Sequence, residues 1–132
     1  RLPQALESHS PDIVVIALGG NDGLRGVALS EVRDNLEAMI AMARGAGAHV
    51  VLAGVRLPSN YGSAFIERFR GVYEEVASET GVAHVPKILA GVAEQPSLMQ
   101  DDGIHPNAEA QPVILENIWQ ALGPIVSRSA SR

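Results

Sequence analysis

The 132-residue chain contains no cysteine, which excludes a disulfide framework and a zinc site built on thiolates, and leaves the redox compartment open. It has no apolar run near the roughly 18 residues that a membrane-spanning helix needs, so stable insertion into a bilayer is not expected. Basic residues are the minority: ten Lys and Arg stand against fifteen Asp and Glu, for a formal charge of −5. No helix carries a basic stripe, so nucleic acid is not an expected partner. No internal repeat and no linker divides the sequence, and its length fits one domain, residues 1–132, with a modest core. Apolar residues make up 46% of the chain and charged residues 19%, a globular rather than a disordered composition.

Strand and helix patterns alternate along the chain. The β-branched run Ile13–Leu18 reads as a strand buried on both faces and hence interior to a sheet. Ser30 is expected to cap a helix on which Val32, Leu36, Met39, Ile40 and Ala43 share one face, with Gly45 and Gly47 stopping it. His49–Gly54 reads as a second strand, and the Pro, Asn and Gly of Leu57–Gly62 mark a loop. A helix over about Ser63–Glu79 presents Ile66, Phe69, Val72, Tyr73 and Val76, and Val82–Val85 is a short third strand. Lys87–Val92 reads as a helical turn or two. In the last helix Asn107 is a candidate cap, Pro112 should delay or kink the start, Gly123-Pro124 should end it, and Ser127–Arg132 should be a frayed tail. Three such units imply a parallel α/β sheet with helices on its faces.

Two short blocks carry chemistry. Asp102-Gly103-Ile104-His105-Pro106-Asn107 places a carboxylate three residues before a histidine in a turn broken by Gly and Pro. Such a carboxylate can hold Nδ1–H of the imidazole and leave Nε2 facing a nucleophile as a base. Gly19-Gly20-Asn21-Asp22-Gly23 follows the first strand, at the carboxyl end where α/β sheets place their sites. The structural alternatives are an Asx-type turn before a helix for Asp102 and His105, and an ordinary turn after a strand for Asn21. No second histidine or carboxylate lies at ligand spacing, so no metal is expected. The glycine loop fits neither dinucleotide nor Walker patterns. His9, His49 and His84 have no sequence-adjacent partner and read as structural or exposed.

In this order, each at a strand end, these blocks resemble two signatures of the SGNH (GDSL-type) hydrolases. The likeness is greatest to the bacterial thioesterase I, lysophospholipase L1 and arylesterase branch. Leu18–Gly26, Leu57–Gly62, and Asp102–Asn107 with Ala110-Gln111-Pro112 all look like that branch. The resemblance implies a flavodoxin-like three-layer α/β/α fold and hydrolysis of carboxylic esters and thioesters without cofactor. His105 would be the base, Asp102 its orienting carboxylate and Asn21 an oxyanion-hole donor. Gly20, Leu24, Leu57 and Tyr61 would meet the acyl substrate. The family's nucleophilic serine lies in a Gly-Asp-Ser block that occurs nowhere in these residues. The expectation is therefore a chain missing the first two strands of the sheet, inactive alone, with Ile13–Leu18 as an exposed edge. That edge could pair with an N-terminal segment in trans or with a second copy. Rival readings are a non-catalytic fragment acting by self-association, and an acyl- or carbohydrate-binding module. The resemblance also implies a periplasmic or secreted location.

Overall fold

The computed structural model describes residues 1–19 and 28–130. Four helices, α1 (Leu2–His9), α2 (Leu29–Gly45), α3 (Ser63–Thr80) and α4 (Gln111–Ala130), accompany three strands, β1 (Ile13–Ile16), β2 (His49–Ala53) and β3 (Ala83–Val85), among the described residues. The strands form one parallel sheet in the order β1-β2-β3. Ile13 is opposite His49 and Ile16 opposite Leu52, while Val51 is opposite Ala83.

The two-residue period of β2 divides the core between two layers. Val50 and Leu52 face α2 and α3, where Ile16, Val32, Leu36, Ile40, Phe69, Tyr73 and Val76 complete the larger cluster. Val51 and Ala53 face the other way and meet Val85, Ile125, Ala121 and Leu122 beneath α4. Helices on both faces of a parallel sheet make a three-layer α/β/α arrangement. On α2 the buried positions Val32, Leu36, Ile40 and Ala43 recur at helical spacing, so one stripe enters the core and the opposite face stays wet.

Arg33 on that wet face ties α2 to α3. Its guanidinium donates to Glu79 at 2.9 Å and to Glu37 at 3.5 Å, and it is also paired with Glu75. Arg33 is half-buried but its three carboxylate partners are exposed, so solvent and salt weaken each pair. Arg33→Ala is expected to lower the urea midpoint in dilute buffer. The deficit should shrink as salt rises from roughly 0.01 to 1 M; a deficit independent of salt would show that packing of the Arg33 stem dominates.

Four expectations are corrected. Ser30 does not cap α2: the helix starts at Leu29 with Ala28 as cap and no side-chain capping bond, because Leu29 packs on the core and draws the first turn back. The strand expected over Ile13–Leu18 is paired only over Ile13–Ile16, although its place at an edge of the described sheet is the one expected for a chain without the first two strands. One side of the apolar run therefore meets solvent, with Val15 41% exposed. Gly123-Pro124 does not end α4, which continues to Ala130 with Pro124 inside it. Ile125, buried against Val51, Ala53 and Val85, holds the helix on the sheet past the one hydrogen bond that proline forfeits. Residues 127–130 are consequently helical rather than a frayed tail.

Elsewhere, the reading of Lys87–Val92 as helical turns agrees with bonds from Ala90 N to Lys87 O at 3.1 Å and from Val92 N to Leu89 O at 3.0 Å. No helix of the described residues is long and apolar enough to cross a membrane.

Candidate active site

The Asp102–His105 turn is built by backbone bonds before any side chain acts. Met99 and Pro106 form an antiparallel bridge, Gln100 N donates to His105 O at 2.7 Å, and Asn107 N donates to Leu98 O at 2.9 Å. Gly103 N closes the turn onto Gln100 O at 3.0 Å. Gly103 takes a φ of 67°, in the left-handed region where a side chain is strained. Beneath the turn, Val92, Met99 and Ala110 form a small buried cluster with Val113 and Ile114 of α4.

Asn107 contributes more than the cap foreseen for it. Its Oδ1 accepts from Ala110 N at 3.2 Å, while its Nδ2 donates to Ser97 O at 2.8 Å and Met99 O at 3.5 Å. One amide thus starts the Ala108–Ala110 turn, which feeds α4 at Gln111, and fastens the other limb of the hairpin. Pro112 sits in the first turn of α4, where its missing N–H costs no helical bond.

Within this frame Asp102 uses both oxygens. Oδ1 accepts from Ile104 N at 2.9 Å and His105 N at 3.0 Å; Oδ2 lies 2.6 Å from His105 Nδ1. The Asx-turn reading and the carboxylate–imidazole reading are therefore both realised in one residue. The bond to His105, followed by the two backbone N–H groups, lowers the Asp102 carboxyl from 3.8 to about 2, because each donor favours the charged form. An ionised carboxylate has no proton to give, so Nδ1 must be the donor. In the neutral imidazole the lone pair is then on Nε2. The His105 side chain is 68% exposed, so that nitrogen is open to an approaching group.

The sign of the pH dependence follows from the depressed carboxyl. The stabilisation from Asp102 is fully present above 3.8 and is lost as pH falls toward about 2. A carbon-detected titration of the Asp102 carboxyl should give a midpoint near about 2, and Asp102→Asn should remove that step. A midpoint at the ordinary carboxylate value would mean the three donors are not engaged in solution.

The loop after β1 is fixed at its entrance. The Tyr73 hydroxyl donates to Leu18 O at 2.7 Å. Gly19 follows with a φ of 107°, and a Cβ there would collide with the same hydroxyl. Sequence reading placed Tyr73 in the core by its spacing and did not anticipate its bond to the strand end. Of the expected site residues, Gly20, Asn21 and Leu24 lie outside the described residues, as does Asp22.

A cleft of about 280 Å³ opens at the carboxyl ends of β2 and β3, the usual ligand position in such sheets. Leu57, 4% exposed, is in its wall with Ile66, Phe69 and Leu89, and Arg56 and Lys87 also line it. Tyr61, expected beside Leu57, is not among the lining residues; its ring packs near Phe65, with centroids 6.3 Å apart. Neither Asp102 nor His105 lines this cleft. The turn after β3 is held by Asn117 of α4, whose Nδ2 donates to Ile88 O at 3.0 Å and Ala90 O at 2.9 Å.

His84 also borders the cleft. Burial pushes its imidazole below the usual value, against the opposing pull of Glu74, so it is uncharged near neutral pH. Among the described residues, no three His, Asp or Glu side chains converge as a metal-binding group.

The profile of the GDSL-like Lipase/Acylhydrolase family matches residues 1–112. The chain belongs to that family. Esterase TesA of Pseudomonas aeruginosa is 49% identical over 126 residues, covering 96% of this chain and 63% of that protein. Thioesterase 1/protease 1/lysophospholipase L1 of Escherichia coli K12 is 39% identical over 130 residues, covering 98% of this chain and 62% of that protein. The crystal structure of TesA superposes with a TM-score of 0.89 at 50% identity, over 94% of this chain and 69% of that one. The chain thus spans a little over three-fifths of the length of these curated relatives. The family match extends over β1, β2, β3 and the whole Asp102–Asn107 turn.

Proposed function

We propose that this chain is part of an ester and thioester hydrolase that works through a serine, His105 and Asp102. The observation that carries the reading is the 2.6 Å contact between Asp102 Oδ2 and His105 Nδ1, which leaves Nε2 of an exposed imidazole unengaged by that carboxylate. The family membership and the names of the relatives, esterase and thioesterase/lysophospholipase, support the substrate class.

In the proposed reaction a serine hydroxyl attacks the acyl carbonyl and passes its proton to His105 Nε2. Asp102 holds the imidazole ring and stabilises the imidazolium that forms. The tetrahedral oxyanion takes hydrogen bonds from donors that include the Asn21 amide. His105 returns the proton to the departing alcohol or thiol, and water then repeats the sequence in reverse to free the acid. Leu57, with Gly20, Leu24 and Tyr61, is assigned to the acyl chain. No Gly-Asp-Ser block occurs in these 132 residues, so the serine in this reading is supplied by a segment outside them. The reading keeps the periplasmic or secreted location that the resemblance implies.

The test pairs an intact-mass measurement under denaturing conditions with turnover of a p-nitrophenyl acyl ester. Turnover accompanied by a polypeptide bearing Gly-Asp-Ser supports the reading. Turnover that survives loss of His105 sinks it. A second reading, association through the sheet edge, is favoured by the one-sided pairing of β1 and the exposure of Val15; it predicts concentration-dependent assembly with no hydrolysis.

A further inference from the structure

The cleft at the carboxyl ends of β2 and β3 concentrates positive charge in an acidic chain. It is lined by Arg56, Arg70 and Lys87 against one carboxylate, Glu94, so it gathers three of ten basic residues but one of fifteen acidic ones in a protein of formal charge −5. Arg70 is engaged by Glu67 at 3.1 Å. Among the described residues Arg56 and Lys87 have no ion-pair partner, and both are exposed, which places them at the mouth. The wall behind them is apolar. Two cations without an ion-pair partner, outnumbering the one carboxylate of the lining, focus the field outward over such a wall and favour an anionic head with an alkyl tail. The volume of about 280 Å³ lies at the small end of ligand pockets, which fits one chain better than a polycyclic or oligosaccharide ligand.

We propose that this cleft selects alkyl or acyl chains with an anionic head, carboxylate or phosphate, and that Arg56 and Lys87 determine that preference. Calling the bound molecule a substrate or product rests on the hydrolase reading; the binding itself does not. A phosphate head would place the preference on an intact charged ester, a carboxylate head on the released acid.

The experiment is calorimetric titration of the full chain with decyl phosphate, decanoate and decanol, all below micelle formation. At least one anion is expected to bind about tenfold tighter than decanol, the gain typical of charge-assisted hydrogen bonds, and to lose affinity with added salt. The double variant Arg56→Gln/Lys87→Gln should bring all three ligands to the decanol value, whereas Arg44→Gln, at the end of α2, should leave the preference intact. Decyl phosphate well ahead of decanoate identifies the phosphate head, decanoate ahead of decyl phosphate the carboxylate, and equal affinities show that the cleft accepts either anion. Anions no tighter than decanol, or a preference that survives in the double variant, overturn the proposal. Neutral p-nitrophenyl ester turnover, measured with the Gly-Asp-Ser-bearing segment present, separates the two ideas: no anion preference in the unsubstituted protein beside intact His105-dependent turnover sinks this one alone.

Discussion

His105→Ala is expected to cut ester turnover by roughly four orders of magnitude wherever hydrolysis by this chain is observed, while shifting stability by no more than about 0.5 kcal/mol. The two halves of that expectation come from the same observation. The imidazole is largely exposed, and among the described residues its side-chain partner is Asp102, so its removal opens no cavity and strands no buried donor. The turn itself is fixed by the Met99–Pro106 bridge, by Gln100 N to His105 O, and by Asn107, all of which survive the substitution. Turnover and urea midpoint should therefore separate cleanly. Asp102→Asn should behave differently, because an amide nitrogen turned toward Nδ1 favours the wrong tautomer and costs about 10³–10⁴ in rate. That substitution also weakens acceptance from Ile104 N and His105 N, so some loss of stability should accompany it. Equal rates for wild type and His105→Ala would remove the imidazole from the chemistry and leave Asp102 as a turn residue only.

The Asp–His pair was legible in sequence because its geometry is local. Three residues, a glycine able to take positive φ and a following proline leave few ways to arrange the turn, and the contact follows. The strands were legible for a similar reason: apolar β-branched runs bounded by Gly, Pro or Asn have one economical place, inside a parallel sheet. What escaped were effects set by distant partners. Ser30 is a better cap than Ala28 by propensity, yet Leu29 packs on the core and sets where the helix begins. Gly123-Pro124 is a stop signal in isolation, but burial of Ile125 against Val51 and Val85 outweighs one missing hydrogen bond. The Tyr73 bond to Leu18 joins residues 55 apart in sequence, and no spacing rule reaches that far. The charge of the cleft was hidden likewise, since Arg56, Arg70 and Lys87 lie on three separate segments that only the folded sheet brings to one opening.

The same assembly makes Phe69 the side chain whose removal should cost the fold most. It is 1% exposed and stands at the centre of an aromatic row on α3. The Phe65 ring centroid is 6.4 Å away and the Tyr73 ring 5.2 Å away at an interplanar angle of 58°, distances at which such rings attract beyond their burial. Phe69→Ala is expected to lose about 3–5 kcal/mol, the range for emptying a buried aromatic site, out of a total that is roughly 5–15 kcal/mol for a domain. Phe69→Leu, which keeps most of the volume, should lose less than about 1.5 kcal/mol. Urea unfolding at constant m-value checks both. Because Phe69 also forms part of the cleft wall, the alanine variant should enlarge the opening and weaken decanol binding as well as stability. Arg56 and Lys87 remain at the mouth, so the anion preference should persist in whatever affinity is left. A loss below about 1 kcal/mol would mean that Phe69 borders solvent in the cleft instead of wedging α3 onto the sheet, and the path from Tyr73 to the end of β1 would then need another support.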